Sequence, residues 1–432
     1  MTPPRLGDVS DGLRRRSGRG PAMLAIAFAI ILPALAAGSA FKQQTVAAAA
    51  EGTSLTIYSS LPLQGANRIQ NEAVVNGIKL ALEQAGGKAG GREVRYISLD
   101  DSTAQAGNWD PGQTSSNARK AAQDEKAIGY IGEFNSGASA VSMPILNQAG
   151  LAQVSPTNTY TGLTADERGI ERGDPDRYYP TGRRHYARIV PRDTVQGAAL
   201  ALLMARSGCR RVFVLHDGEI YGRGLALSVR SSAPRNRLRV VGFREISRRG
   251  AHYRRLAASV RRSRPRCVFF GGVTANGAVP LFRDIGRLVR GIRLFGGDGI
   301  AESEFTDPRE GGVPQSVARR VRITINVLGP SAYPPAGRQF FRAYVSRYPD
   351  APLVPYAIYG YEAMSLLLDA IDSAGPAGNQ RAAVVDALFG TRDRPSVLGK
   401  YSIDPRGDTS LTNFGVYRIA RGALFFDSVV KP

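Results

Sequence analysis

Residues 135–139, Asn-Ser-Gly-Ala-Ser, directly follow the apolar run "AIGYIGEF" (127–134) and begin a stretch with helical character. A helix starting there aims unpaired backbone N–H groups and the positive end of its dipole past the strand, which suits a carboxylate. The Ser136 hydroxyl either adds one more donor or simply caps the helix. Thr157 and Thr159, in "QVSPTNTYTGLT" (153–164), offer hydroxyl and N–H donors after another strand, or else form a polar turn. In "LHDGEIYGRGLA" (215–226), Tyr221 falls between a strand end and a helix start, where its ring could close over a small ligand. His216 and Asp217 stand at the same edge and read as a structural histidine–aspartate contact rather than a catalytic pair. Asp298, among the glycines of "LFGGDGIAE" (294–302), either faces a ligand or caps the next helix. Together the four segments place anion-seeking donors in one half of the chain and an aromatic ring with a carboxylate in the other. A zwitterion carrying a carboxylate and an ammonium matches that polarity, at about 1.5–3 kcal/mol for each charge-assisted hydrogen bond.

These residues need strands to hold them, and from residue 55 the pattern alternates strand and helix. "LTIYSSL" gives way to "NEAVVNGIKLALEQAGG", where Val74, Ile78, Ala81 and Leu82 share a helical face and Gly86–Gly87 end it. "EVRYISLDD", "AIGYIGEF" and "LAQVSP" continue a first series of strands, and "RRVFVLHD", "LRVVGFREI", "RCVFFGG" and "IRLFGGD" form a second. Such alternation implies α/β architecture: parallel, doubly wound sheets covered on both faces, with ligands beyond the carboxyl ends of the strands. "RQFFRAYVSRY" and "YAIYGYEAMSLLLDAIDSAG" read as helices, Pro144 is expected to kink its helix, and "GKYSI", "NFGVYRI" and "ALFFDSVV" read as closing strands. "YIGEFNSGASA" and "VFFGGVTANGAV" echo each other, so two similar lobes are expected, with the chain crossing between them more than once.

At 432 residues the chain favours two compact lobes over one core. Residues 1–40 read as an export signal: Arg14, Arg15, Arg16 and Arg19 precede "MLAIAFAIILPALAA" and the small residues "GSA". That apolar run is shorter than the roughly 18 residues of a membrane span, although an uncleaved anchor stays open. Residues 41–54 read as a disordered linker. Export makes the protein periplasmic or extracellular and disfavours nucleic acid, for which no recognition module is visible. The net charge is +21, with 50 arginines to seven lysines. Many of the arginines lie between Arg230 and Arg266, either as a footprint for an anionic surface or as a solvated face. Cys209 and Cys267 each precede an apolar strand; a disulfide is open, because the strand offsets can exceed the bridging distance of about 7 Å. No His–Cys cluster suggests a metal, no nucleotide or Gly-x-Ser-x-Gly motif suggests an enzyme, and no cofactor is expected.

In the segments "SSLPLQG", "NGIKLALEQAGG", "IGEFNSGASA", "VSPTNT", "VPRDTVQG", "LHDGEIYGRGLA" and "FGGDG", in that order, the chain resembles the leucine/isoleucine/valine-binding family. These are the type I periplasmic receptors of branched-chain amino-acid ABC transporters, and the likeness runs from about Leu55 to Phe426. It implies two lobes (55–190 with 329–413, and 191–328 with 414–432) joined by three hinge crossovers near Pro191, Leu328 and Phe414. It implies further that Ser136, Thr157 and Thr159 hold an amino-acid carboxylate and that Tyr221 and Asp298 meet the ammonium. The partners implied are a small amino acid, the branched-chain class foremost, and an ABC permease; the receptor is expected to be a monomer. A ligand sensor, or a receptor for an amide, urea or aromatic acid, is the alternative. The chain departs from the family pattern at Val273, where an aromatic residue is common, and in the insertion "AQAGNWDPGQTSS" around its single tryptophan, Trp109.

Overall fold

A computed structural model describes residues 54–432 apart from 168–169, 352–353 and 355. The expected signal, and the expected linker except Ser54, lie outside the described residues. Strand β1 (Leu55–Leu61) leads into helix α1 (Arg68–Gln84), then β2 (Lys88–Ala89), β3 (Arg92–Asp100) and a hairpin of β4 (Ser102–Thr103) and β5 (Asn108–Trp109). Helix α2 (Pro111–Gln123), β6 (Ala127–Ile131), α3 (Ser136–Gln148), β7 (Ala152–Ser155) and β8 (Tyr186–Arg188) follow. The first sheet has the order β2-β3-β1-β6-β7-β8, parallel except for β2. Its strand order reverses between β1 and β6, the place where doubly wound sheets open a crevice for ligand.

After β8 the chain enters α4 (Asp193–Arg206) and a second series: β9 (Arg211–His216), α5 (Ile220–Ser232), β10 (Arg239–Glu245), α6 (Arg254–Arg262) and β11 (Cys267–Gly271). Next come α7 (Ala278–Leu288), β12 (Arg293–Gly296), α8 (Ser303–Thr306), α9 (Gln315–Ala318) and β13 (Val321–Ile325). Helices α10 (Pro335–Arg347), α11 (Ala357–Ser373) and α12 (Arg381–Phe389) return to the first sheet, where α11 packs on α1 and α12 on β6 and β7. Finally β14 (Phe414–Ala420) and β15 (Ala423–Val430) add antiparallel strands to the second sheet, whose order is β10-β9-β11-β12-β13-β14-β15. The chain thus passes between sheets three times.

Both sheets are covered on both faces, so their central strands are buried along their whole length: β6 and β11 have no exposed residue. The contact of α1 with α11 is set by two glycines. A Cβ on Gly77 would lie 2.0 Å from the Ala357 carbonyl oxygen, and one on Gly360 2.1 Å from that of Val74. The sequence echo is also a backbone echo. Gly132 and Gly272, each immediately after a central strand, adopt φ of 151° and 156°, a region L side chains avoid.

Some expectations need correction. "GKYSI" is not a strand: Tyr401 and Ile403 form only isolated bridges, to Arg394 and Thr409. Tyr401 exchanges both backbone bonds with Arg394 and donates its hydroxyl to Glu362 Oε1 at 2.7 Å, which ties the segment to α11 instead of a sheet edge. His216 and Asp217 do not bond each other. His216 Nδ1 accepts from the Gly218 N–H at 3.2 Å, while Asp217 accepts from the Glu219 and Val273 N–H groups, both at 3.1 Å. Cys209 and Cys267, left open above, are bridged with Cα atoms 6.0 Å apart, since β9 and β11 are neighbours and Cys267 lies beside Val212.

Candidate ligand-binding site

The carboxyl ends of the central strands face one another across a narrow cleft lined from both lobes. Ser136, Thr157, Thr159, Tyr221 and Asp298 all line it. Ser136 is the first residue of α3, and Asn135 occupies the cap position without a side-chain capping bond. The Ser136 hydroxyl is therefore not spent on its own helix. It accepts from the Tyr160 N–H at 3.3 Å and keeps its own hydrogen to donate. The N–H groups of the first turn of α3 remain without helical acceptors, as at any helix start. Behind them, the indole of Trp109 lies where a Cβ on Gly137 would be, 2.5 Å away, so the inserted hairpin braces the first turn of α3.

The two threonines differ. Thr157 donates its hydroxyl to the Phe134 carbonyl at 2.8 Å and so braces the loop before α3. The Thr159 hydroxyl is buried without a hydrogen-bond partner. Such a group costs stability unless something satisfies it. The turn that carries both is fixed from below by Arg188, fully buried, which donates to the carbonyls of Tyr160 at 2.8 Å and Asn158 at 3.3 Å. Arg188 pairs in turn with Asp408 at 2.7 Å, and Arg192 reaches the other oxygen of Asp408 at 2.9 Å. Burial alone would raise the Asp408 pKa, but the two guanidinium groups hold it below the usual carboxylate value.

On the opposite wall Asp298 opens a single 3-10 turn after β12 and makes no capping bond. Its Oδ1 accepts from Gln196 Nε2 at 2.6 Å. Burial pushes its pKa up to about 6, against the opposing bond from Gln196. The Tyr221 hydroxyl accepts from the Gly299 N–H at 3.1 Å. Burial, with the nearby Asp298 and Asp193 carboxyls, holds Tyr221 well above its ordinary pKa, so it stays a neutral donor. Burial raises the carboxyl of Asp193 well above the usual value, against the neighbouring Thr159 hydroxyl, which lowers it. The carboxylates that line the cleft, Asp298 and Glu219, both belong to this wall.

Asn67, Phe134, Asn135, Glu219, Val273, Gly299 and Tyr356 complete the lining. Asn67 and Tyr356 were missed from sequence because each lies just before a helix with no motif around it, and only the topology shows that α1 and α11 start at the cleft. Gln196, which donates to Asp298, lies inside "VPRDTVQG", so the segment was visible even though its role was not. Across the rim, Asn67 Nδ2 donates to Glu302 Oε1 at 2.5 Å, and Gln70 Nε2 donates to the Ala301 carbonyl at 2.8 Å. Arg223 pairs with Glu171 nearby. The two walls are in contact.

A family model described as "Periplasmic binding protein" matches residues 54–423. An "Amino acid binding protein" from Pseudomonas aeruginosa is 25% identical over 362 residues, which cover 82% of this chain and 87% of that protein. "Leu/Ile/Val-binding protein homolog 2" from Brucella abortus is 26% identical over 374 residues, 84% and 89% of the respective chains. Among solved structures, a leucine-binding protein from Thermotoga maritima shares the fold, with a TM-score of 0.73 at 22% identity, over 88% of this chain and 99% of that one. Among the described residues, no helix is long and apolar enough to cross a membrane.

Proposed function

Since this chain belongs to the periplasmic binding protein family, we propose that it is an exported, monomeric solute receptor that closes its lobes on a small α-amino acid. It then delivers that amino acid to an ABC permease. One arrangement carries this reading. The start of α3 with Ser136 and Thr159 offers donors to a carboxylate, and Asp298 with Tyr221, across the same cleft, offers acceptors to an ammonium. Phe134, Val273 and Tyr356 supply apolar surface for an aliphatic side chain, which favours the branched-chain class. The names of the Pseudomonas and Brucella relatives agree with an amino-acid ligand. In this reading the protein holds its ligand and transforms none of it, and it binds neither cofactor nor nucleic acid.

A second reading, an amino acid whose side chain ends in an amide, is favoured by Asn135. Its Oδ1 is buried at the cavity without a hydrogen-bond partner, and Asn67 lines the same space. Thermal unfolding with each of the twenty amino acids, small amides, urea and aromatic acids separates the two. A ligand at 100 times its Kd stabilises the fold by about 2.7 kcal/mol, a shift easily read. Leucine, isoleucine or valine giving the largest shift supports the first reading, and glutamine or asparagine the second. A shift with aromatic acids alone, or with no compound bearing an amine, overturns both.

A further inference from the structure

Most of the positive charge of this protein lies in one region. Residues 55–190 carry 14 basic and 14 acidic side chains, and residues 329–432 carry 11 and nine. Residues 191–328 carry 26 arginines against 10 carboxylates, a net +16 of the whole chain's +21. A general preference for arginine over lysine explains the residue type. It does not explain the imbalance, because the first lobe has the same preference and is neutral.

Within that segment the charge is concentrated again. Between Arg230 and Arg266 stand 13 arginines and one acidic residue, Glu245. All 13 are exposed. The fold gathers them on one side: β10 is the edge strand of the second sheet, and α6 follows it directly. On α6, Arg254, Arg255, Arg261 and Arg262 repeat at a spacing of seven, two helical turns, and so form one stripe, while Ala257 and Val260 turn inward. Among the described residues only Arg248 of the 13 meets a carboxylate, Glu219 at 3.4 Å. The large apolar side chains that are exposed, Val345, Phe425 and Val429, all lie outside this stretch.

We propose that this arginine face of the second lobe adsorbs the receptor to a negatively charged phospholipid surface. A broad sheet edge and helix stripe with no apolar anchor fits a delocalised field of like charges better than the shaped, partly apolar patch of a protein partner. Binding of this kind is reversible and screened by salt, with a Debye length of about 8 Å at physiological ionic strength. It leaves the ligand cleft free, because the cleft opens at the carboxyl ends of the strands, whereas the stripe lies on the outer face of α6. A receptor held at the bilayer would search for its membrane partner in two dimensions.

The test mixes the full chain with sedimenting vesicles of phosphatidylcholine alone, or with about 30% phosphatidylglycerol, at low salt and at about 0.5 M NaCl. Binding to the anionic vesicles only, lost at high salt, is expected. Neutral vesicles control for attachment through the apolar run 23–37. The quadruple variant R254E/R255E/R261E/R262E should weaken anionic binding at least about tenfold. A charge-matched control, R338E/R342E/R418E/R421E, alters four exposed arginines elsewhere and should retain most of it. Thermal unfolding of both variants with and without amino acid confirms that fold and cleft are intact. Three outcomes overturn the proposal: equal binding to neutral and anionic vesicles, equal losses in the two variants, or no vesicle binding by a chain that binds polyglutamate, which would indicate an acidic protein partner.

Discussion

Ligand affinity should depend on pH through Asp298, and the size of the effect follows from the structure. In the ligand-free protein burial sets its pKa at about 6. An ammonium pairs with the ionised carboxylate, so binding selects that form and draws its pKa down. The apparent Kd therefore rises as pH falls through 6. At pH 5 only about one receptor in eleven carries the carboxylate ionised, against nearly all at pH 7.5, a loss of about tenfold in affinity or ~1.4 kcal/mol. The free amino acid stays a zwitterion across this interval, so its own groups add little to the slope. Titration calorimetry at pH 5, 6 and 7.5 measures the slope. Repeating the pH 6 titration in two buffers of different ionisation enthalpy should reveal about half a proton released per ligand bound. Asp298→Asn should bind more weakly at pH 7.5 and lose the slope. Asp193 lies beside Asp298 and is also pushed up, so Asp193→Asn is the control, and its slope should survive. A Kd constant within twofold from pH 5 to 7.5, or an undiminished slope in Asp298→Asn, would refute the assignment.

Ser136→Ala should cost about 1–2 kcal/mol of ligand binding, read by calorimetry, and a further ~1 kcal/mol of stability, read by unfolding, because it also removes the acceptor of the buried Tyr160 N–H. Burial raises Glu302 to about 8, so the folded chain holds a proton there that the unfolded chain releases above about pH 4.5. Its contribution to stability is complete below that pH and is lost as pH rises through 8. Denaturant midpoints should fall across the interval, and Glu302→Gln should flatten the fall. Replacing both Cys209 and Cys267 by serine opens a loop with a sequence separation of 58 residues. The chain-entropy estimate for that loop is a loss of about 4 kcal/mol, measurable by urea titration with Trp109 fluorescence as the probe.

How much was legible in the sequence depends on how locally each feature is determined. Strands β6, β9, β11 and β12 are largely apolar runs followed by glycine or polar residues, so type and position could be read together. The candidate residues could be placed together because a doubly wound sheet sends every strand's carboxyl end to the same edge; Ser136, Thr159, Tyr221 and Asp298 line one cleft by that rule alone. Strand β8 was not marked, since three residues ending in a buried arginine give no apolar alternation. Arg188 is tolerated there only because Asp408, 220 positions away, neutralises it. "GKYSI" failed for the converse reason. Its alternation is that of a strand, but its pairing is decided by Arg394 and Glu362, which no local pattern reveals. The different uses of Thr157 and Thr159 were equally hidden, because they depend on where the Phe134 carbonyl lies.

The residues that hold the two halves of the site also lie at the crossovers, and this connects binding to lobe movement. Gln196, one turn into α4 and just past the first crossover, gives one amide nitrogen both to Asp298 and to Thr324 on β13, the strand that leads to the second. On the other wall Arg188, the last residue of β8 before the first crossover, fixes the turn of Thr157 and Thr159 through the carbonyls of Asn158 and Tyr160. Its partner Asp408 lies between α12 and β14, on the segment that makes the third crossover. A rotation of one lobe against the other therefore moves the ligand's acceptors and donors along with the hinge. Conversely, a zwitterion bridging Thr159 and Asp298 adds a link between two points already tied to the crossover segments, and it stabilises the closed arrangement by the difference between its affinities for the two lobe positions. The buried hydroxyl of Thr159 and the half-buried carboxylate of Asp298 are costly in a closed, empty cleft, and under the proposed reading a ligand carboxylate at one and ammonium at the other would remove both costs at once.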